Sequence, residues 1–194
     1  MSRDIASPPR CDWCGTDPEY CRYHDEEWGV PVHDGRALFE KLCLEAMQAG
    51  LSWITILRRR DAMRQAFDGF EPSRLAAWSD AMLEEVRDRP GVIRHAGKIR
   101  AIRDNARVVL DEWPSLEAFA ESIWSHAPSP EGRVRPATMA DLPTRTDEST
   151  ALAGMLRARG FRFVGPVSAY AFMQSMGLVD DHLATCFRAR SASR

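Results

Sequence analysis

No stretch of the 194 residues is apolar for long enough to cross a bilayer, which takes about 20 residues as a helix. The first ten residues, MSRDIASPPR, lack the apolar segment that a secretory leader carries. A membrane-spanning or exported protein is therefore not expected. An excess of one charge is also missing: 26 basic and 28 acidic side chains leave a formal net charge of −2. That excludes a protein coated in positive charge, although a nucleic-acid enzyme needs only a local basic face. The five cysteines, at 11, 14, 21, 43 and 186, are an odd number and give no even disulfide framework. Such cysteines are expected to be reduced, catalytic or metal-binding. Strand-like alternation, internal repeats and low-complexity blocks are absent as well.

What is present is an ordinary globular mixture, 44% hydrophobic and 28% charged, long enough for one domain with a substantial core. Residues 1–10 read as a flexible lead-in, and residues 11–190 as a single domain. The segment 11–34 reads as irregular, rich in Cys, Trp, Tyr, Asp and His, with Pro18, Gly29 and Pro31 as breakers. From Asp34 the pattern turns helical: Leu38, Phe39, Leu42, Cys43, Ala46 and Met47 recur at helical spacing until Gly50 offers a stop. Further helices are predicted over 52–67, 72–78, 79–88, 98–110, 115–125, 147–159, 165–176 and 180–189. Four prolines mark 128–143 as a long surface connection. The expected fold class is all-α.

Four constellations carry chemistry. Cys11 and His24 lie near the start of the chain, and His182 and Cys186 near its end. On a helix the last two face the same way, half of a tetrahedral zinc site that Cys11 and His24 would complete. Cys11-x-x-Cys14 is a competing metal or redox spacing, and independent core residues are a third reading. Glu45 sits at the margin of the apolar arc of its helix, where a carboxylate needs a partner or a cavity. It is either a boundary residue paired with an arginine or the acceptor at a pocket floor. Trp13, Tyr20, Tyr23, Trp28 and Trp53 suit a stacking pocket for a flat, positively charged ligand. Finally, residues 90–98 break the helical pattern with Gly91 and Gly97, amid Arg89, Arg94, Lys98, Arg100 and Arg103. A glycine turn leading into a helix N-terminus fits a phosphate, and fits an ordinary helical hairpin equally well.

Several stretches resemble the 3-methyladenine DNA glycosylase I family. They are Cys11-x-Trp13, Tyr20-x-x-Tyr23-His24-Asp25-x-Glu27-Trp28-Gly29-Val30-Pro31 and Leu44-Glu45-x-x-Gln48-Ala49-Gly50-Leu51-Ser52-Trp53. Gly160-Phe161-x-Phe163-Val164-Gly165 and Gly177-Leu178-Val179-x-Asp181-His182-x-x-x-Cys186 complete the set. The resemblance runs from Cys11 to about Arg188. Two departures are Ala171, where the family often has a small hydroxyl residue, and Phe187, where some relatives carry another cysteine.

The resemblance implies a helix-hairpin-helix glycosylase fold, with the hairpin at about 80–112. It implies one structural zinc ion held by Cys11, His24, His182 and Cys186, with Cys14 outside the ligand set. Glu45 and Tyr23 would be catalytic. Trp13, Tyr20, Trp28, Glu45 and Trp53 would bind the flipped base, and Leu51 would fill the gap it leaves. Leu51, Gly91, Gly97 and Lys98 would contact DNA. The implied activity is hydrolysis of the glycosidic bond of N3-methyladenine in double-stranded alkylated DNA, without lyase chemistry, by a cytoplasmic monomer. Two rivals are a non-catalytic module that senses alkylated bases and a zinc-clipped helical interaction protein.

Overall fold

The computed structural model describes residues 8–131 and 133–189, so most of the lead-in, residues 1–7, lies outside the described residues. The described residues form ten α-helices and three short 3₁₀ turns, with no strand. None of the helices is long and apolar enough to cross a membrane.

The core is organised around α2 (Gly35–Gln48), which α3 (Trp53–Leu57), α7 (Ala96–Glu112), α8 (Leu116–Trp124) and α10 (Pro166–Ser175) all contact. Asp34 caps its start, accepting from the Ala37 N–H at 2.7 Å. Leu38, Phe39, Leu42, Cys43 and Met47 are almost completely buried, and so are the charged Glu40, Lys41 and Glu45. From Leu38 to Met47 the helix is surrounded and has no solvated face for charge. Its charged residues must therefore find partners inside the molecule.

The remaining helices form a shell. α9 (Asp147–Ala158) packs on α10, and α5 (Pro72–Ala76) and α6 (Asp80–Arg87) pack on α7. Start signals are local: Ser79 caps α6, Ser115 caps α8, and Thr146 with Ser149 forms a capping box on α9. Gly160 ends α9 at φ +105°, a left-handed conformation that glycine adopts without strain.

Three expectations need correction. Residues 18–26, read as irregular, form helix α1 (Pro18–Glu26). Pro18 occupies its first turn, where a missing N–H costs nothing, and Asp17 accepts from the N–H groups of Glu19 and Tyr20. The helix expected over 52–67 divides into α3 and α4 (Arg60–Ala66) at Arg58–Arg59. There Arg58 pairs with Asp17, and Arg60 pairs with Glu27, so both flanks of the break are tied to α1 and its approach. The helix expected over 180–189 does not form. Asp180 Oδ1 accepts from both the backbone N–H and the ring Nδ1 of His182, winding the segment into turns.

Candidate functional site

Short local structures bring five aromatic rings of the first 53 residues to one place. The 3₁₀ turn Asp12–Cys14 carries Trp13, α1 carries Tyr20 and Tyr23, and the first residue of α3 is Trp53. Trp13 meets Tyr20 edge-on with ring centroids 4.9 Å apart, and meets Trp28 at 5.2 Å. Tyr23 lies 5.6 Å from Trp53. The rings line a pocket of about 200 Å³. Its floor is α2, with Lys41, Glu45 and Gln48; α10 contributes Ala171, Gln174 and Ser175, and Met139 and Leu142 form an outer wall.

Glu45 is 5% exposed, and its Oε1 is 2.8 Å from the Lys41 ammonium. The expected partner class was arginine; the partner is the lysine one turn earlier on the same helix. The second carboxylate oxygen, Oε2, is buried without a hydrogen-bond partner, as are the indole N–H groups of Trp13 and Trp53. A buried acceptor left unpaired costs about 1–3 kcal/mol, which a ligand carrying a donor can recover. Burial pushes the Lys41 pKa down against the pull of Glu45, and pushes the Tyr23 phenol well up. Both groups thus hold back from forming unshielded charge.

The second cluster joins the two ends of the chain. The ligand atoms of Cys11, His24 and Cys186, all buried, lie within 4.8 Å of one another. Cys186 Sγ is 3.4 Å from His24 Nε2, and the Leu183 and Arg188 N–H groups donate to the sulfurs of Cys11 and Cys186. The His182 ring stands 5.2 Å from that of His24, and its Nε2 is buried without a partner. Each histidine has its Nδ1 on a carboxylate: His24 on Asp25 at 2.8 Å, His182 on Asp180 at 2.9 Å. Burial pushes the Cys11 thiol up to about 12. Cys14 points elsewhere, its thiol donating to the Cys11 carbonyl.

The other expected residues are placed as follows. Leu51 is 41% exposed in the turn between α2 and α3. Gly91 has φ +84°, and a Cβ there would stand 2.5 Å from that of Ala62, so packing against α4 as well as the turn demands glycine. Gly97 is exposed in the first turn of α7. Lys98 is turned inward: it is 6% exposed and donates to the carbonyls of Met47 at 3.0 Å and Ala49 at 2.7 Å. It holds the end of α2 against the α6–α7 hairpin. Of the basic residues around that turn, Arg89, Arg94 and Arg100 are exposed, Arg89 being paired with Glu85.

Sequence reasoning missed Lys41, Gln48, Gln174, Ser175 and the wall from 139–142, whereas Ala171, expected at the far wall, lines the pocket. The first two flank Glu45 at helical spacing, one turn before and one turn after it, and were legible once Glu45 was singled out. The wall comes from distant segments with no local signal.

The methyladenine glycosylase family model matches residues 13–189. The DNA-3-methyladenine glycosylase 1 of Escherichia coli (strain K12) is 45% identical over 177 residues, covering 91% of this chain and 95% of that protein. A crystal structure of 3-methyladenine DNA glycosylase I (TAG) superposes with a TM-score of 0.87 at 47% identity, over 93% of this chain and 99% of the other. The TAG structure from Staphylococcus aureus, which describes 3-methyladenine recognition, gives 0.88 at 34% identity, over 94% and 97%.

Proposed function

This chain belongs to the methyladenine glycosylase family, and we propose that its aromatic pocket receives an N3-methyladenine turned out of duplex DNA. The chain is a DNA glycosylase that hydrolyses the N-glycosidic bond of that base. The observation that carries the pocket assignment is Glu45 Oε2, an unpaired carboxylate oxygen at the floor of a box of aromatic rings.

Methylation at N3 makes the purine cationic, so the base is already a good leaving group. Tyr20 and Trp53 stack on it, Trp13, Tyr23 and Trp28 close the box, and Glu45 accepts from its exocyclic amine. Catalysis then needs only to favour the state in which the C1′–N9 bond is breaking and water adds to C1′. Neither of the chain's two lysines is a free amine nucleophile. Lys41 is held by Glu45 and Lys98 by two carbonyls, in keeping with hydrolysis without strand cleavage.

Duplex DNA is read as lying across the α6–α7 hairpin, the first turn of α7 and the α2–α3 turn. Leu51, exposed and apolar, fills the gap left by the base; Gly91 shapes the turn that contacts the DNA, Gly97 lets the backbone approach phosphate, and Lys98 fixes the hairpin to α2. Cys11, His24, His182 and Cys186 are read as ligands of one zinc ion. Their support is the close group of Cys11, His24 and Cys186, the nearby His182 ring with its buried, partnerless Nε2, and a carboxylate on the Nδ1 of each histidine. Bound there, zinc supplies a structural crosslink between the chain ends.

The test is release of free 3-methyladenine from methylated duplex DNA, followed by chromatography. Release at only the heat-labile background rate would leave a base-sensing module without enzyme activity.

A further inference from the structure

Lys41 is a charged side chain 7% exposed in the stretch of α2, Leu38 to Met47, where every residue is buried. An ammonium so placed does not stabilise a fold relative to an apolar side chain of the same size. Its contacts indicate another use. Nζ is 2.8 Å from Glu45 Oε1, donates to the Tyr23 hydroxyl at 3.3 Å, and stands 3.2 Å above the centroid of the Trp53 ring. All three partners line the base pocket.

Behind that pocket is a second cavity of about 530 Å³, which Lys41, Tyr23 and Trp53 also border. Two of the carboxylates on its side are engaged elsewhere, Glu27 by Arg60 and Glu40 by Arg64 and Arg36, and the third, Glu26, is exposed to solvent. Among the described residues, Lys41 and Glu45 form an ion pair with each other and with no other charged group.

We propose that Lys41 is a positioning residue of the base pocket: it occupies one oxygen of Glu45 and one face of Trp53, so that the other oxygen and the other face are presented to the base. Without the ammonium, the carboxylate has two unpaired oxygens and shares its pocket with three other donors, the Tyr23 hydroxyl and the partnerless indole N–H groups of Trp13 and Trp53. It would turn toward them and away from the ligand. The pairing also balances the charge of Glu45. Recognition then rests on the direction of one hydrogen bond and on stacking rather than on a net negative pocket.

This inference rests on Glu45 being the base acceptor, and the experiment separates the two. Free 3-methyladenine is titrated into the full chain, with tryptophan fluorescence as the readout, for the wild type, Lys41→Met, Glu45→Gln and the double variant. Loss of a charge-assisted hydrogen bond predicts at least about tenfold weaker binding for Glu45→Gln. Lys41→Met is expected to weaken binding about tenfold on its own and less than about twofold in the Glu45→Gln background, because the two act as one unit. A purely structural role would lower the melting temperature and leave the affinity of the folded protein unchanged. Lys41→Met binding as the wild type does, or losses that multiply in the double variant, overturns the proposal while leaving Glu45 in place. Unchanged binding by Glu45→Gln overturns both. If Lys41→Met does not fold, Lys41→Gln replaces it in the same cycle, with the same expectations.

Discussion

Gly29 follows α1 at φ +75°, and a Cβ built there would stand 2.6 Å from His182 Cε1 and 3.2 Å from its Nδ1. Gly29→Ala therefore carries two costs. The left-handed backbone is worth about 1–2 kcal/mol for an L side chain. Displacing a packed ring adds about 1–3 kcal/mol. The ring has little freedom to yield, because Asp180 holds its Nδ1 and Trp28 packs edge-on at 4.6 Å. The sum, about 2–5 kcal/mol, corresponds to a melting temperature lowered by about 4–20 °C in a domain of this size. Gly69→Ala is the control: Gly69 has φ +66° and no atom within 4 Å of its built Cβ, so only the backbone cost applies. Thermal unfolding by circular dichroism, with bound zinc measured by mass spectrometry, reads both variants. Gly29→Ala should melt lower than Gly69→Ala and retain less zinc, and a chelator should narrow the gap between them. Equal melting temperatures with equal zinc content would refute both the steric argument and the place of His182 in the metal site.

Leu51→Ala should lower kcat/KM for base release from duplex DNA by about 10–100-fold, the worth of about 1.5–3 kcal/mol of apolar contact. Binding of the free base should stay unchanged, and an equal loss in both assays would count against a wedge role. Arg94→Gln and Arg100→Gln should each reduce the slope of log affinity against log salt by about 0.9 for duplex DNA, read by fluorescence anisotropy; an unaltered slope would remove that arginine from the DNA face. Lys98→Met leaves the carbonyls of Met47 and Ala49 without their ammonium, at about 1–3 kcal/mol. Its melting temperature should fall by about 2–12 °C, and an unmoved one would show the tie to be dispensable.

The all-helical class and the core face of α2 were legible because apolar residues recur at helical spacing, a property of the local chain. The pocket aromatics and Glu45 were legible as types of residue out of place, a carboxylate at an apolar margin and rings amid polar sequence. Their roles came from the resemblance to a family. α1 was missed because Pro18 was taken as a breaker, although a proline after Asp17 also starts a helix. The C-terminal turns were missed because Asp180 competes for the backbone and ring of His182, a contact that spacing does not encode.

The sequence by itself determined most of the helices and the inventory of reactive side chains, because hydrogen bonds and periodicity within a few residues decide those. Only the tertiary structure decided which groups are left without partners. Burying α2 from Leu38 to Met47 forces Lys41 onto Glu45 and frees Oε2. Folding the C-terminal turns onto the N-terminal segment brings Cys186 and His182 to Cys11 and His24. The α6–α7 hairpin, docked on the end of α2, turns Lys98 inward and leaves Arg94 and Arg100 to face solvent. Each outcome depends on which surfaces exclude water, and that is fixed only when segments far apart in the chain meet.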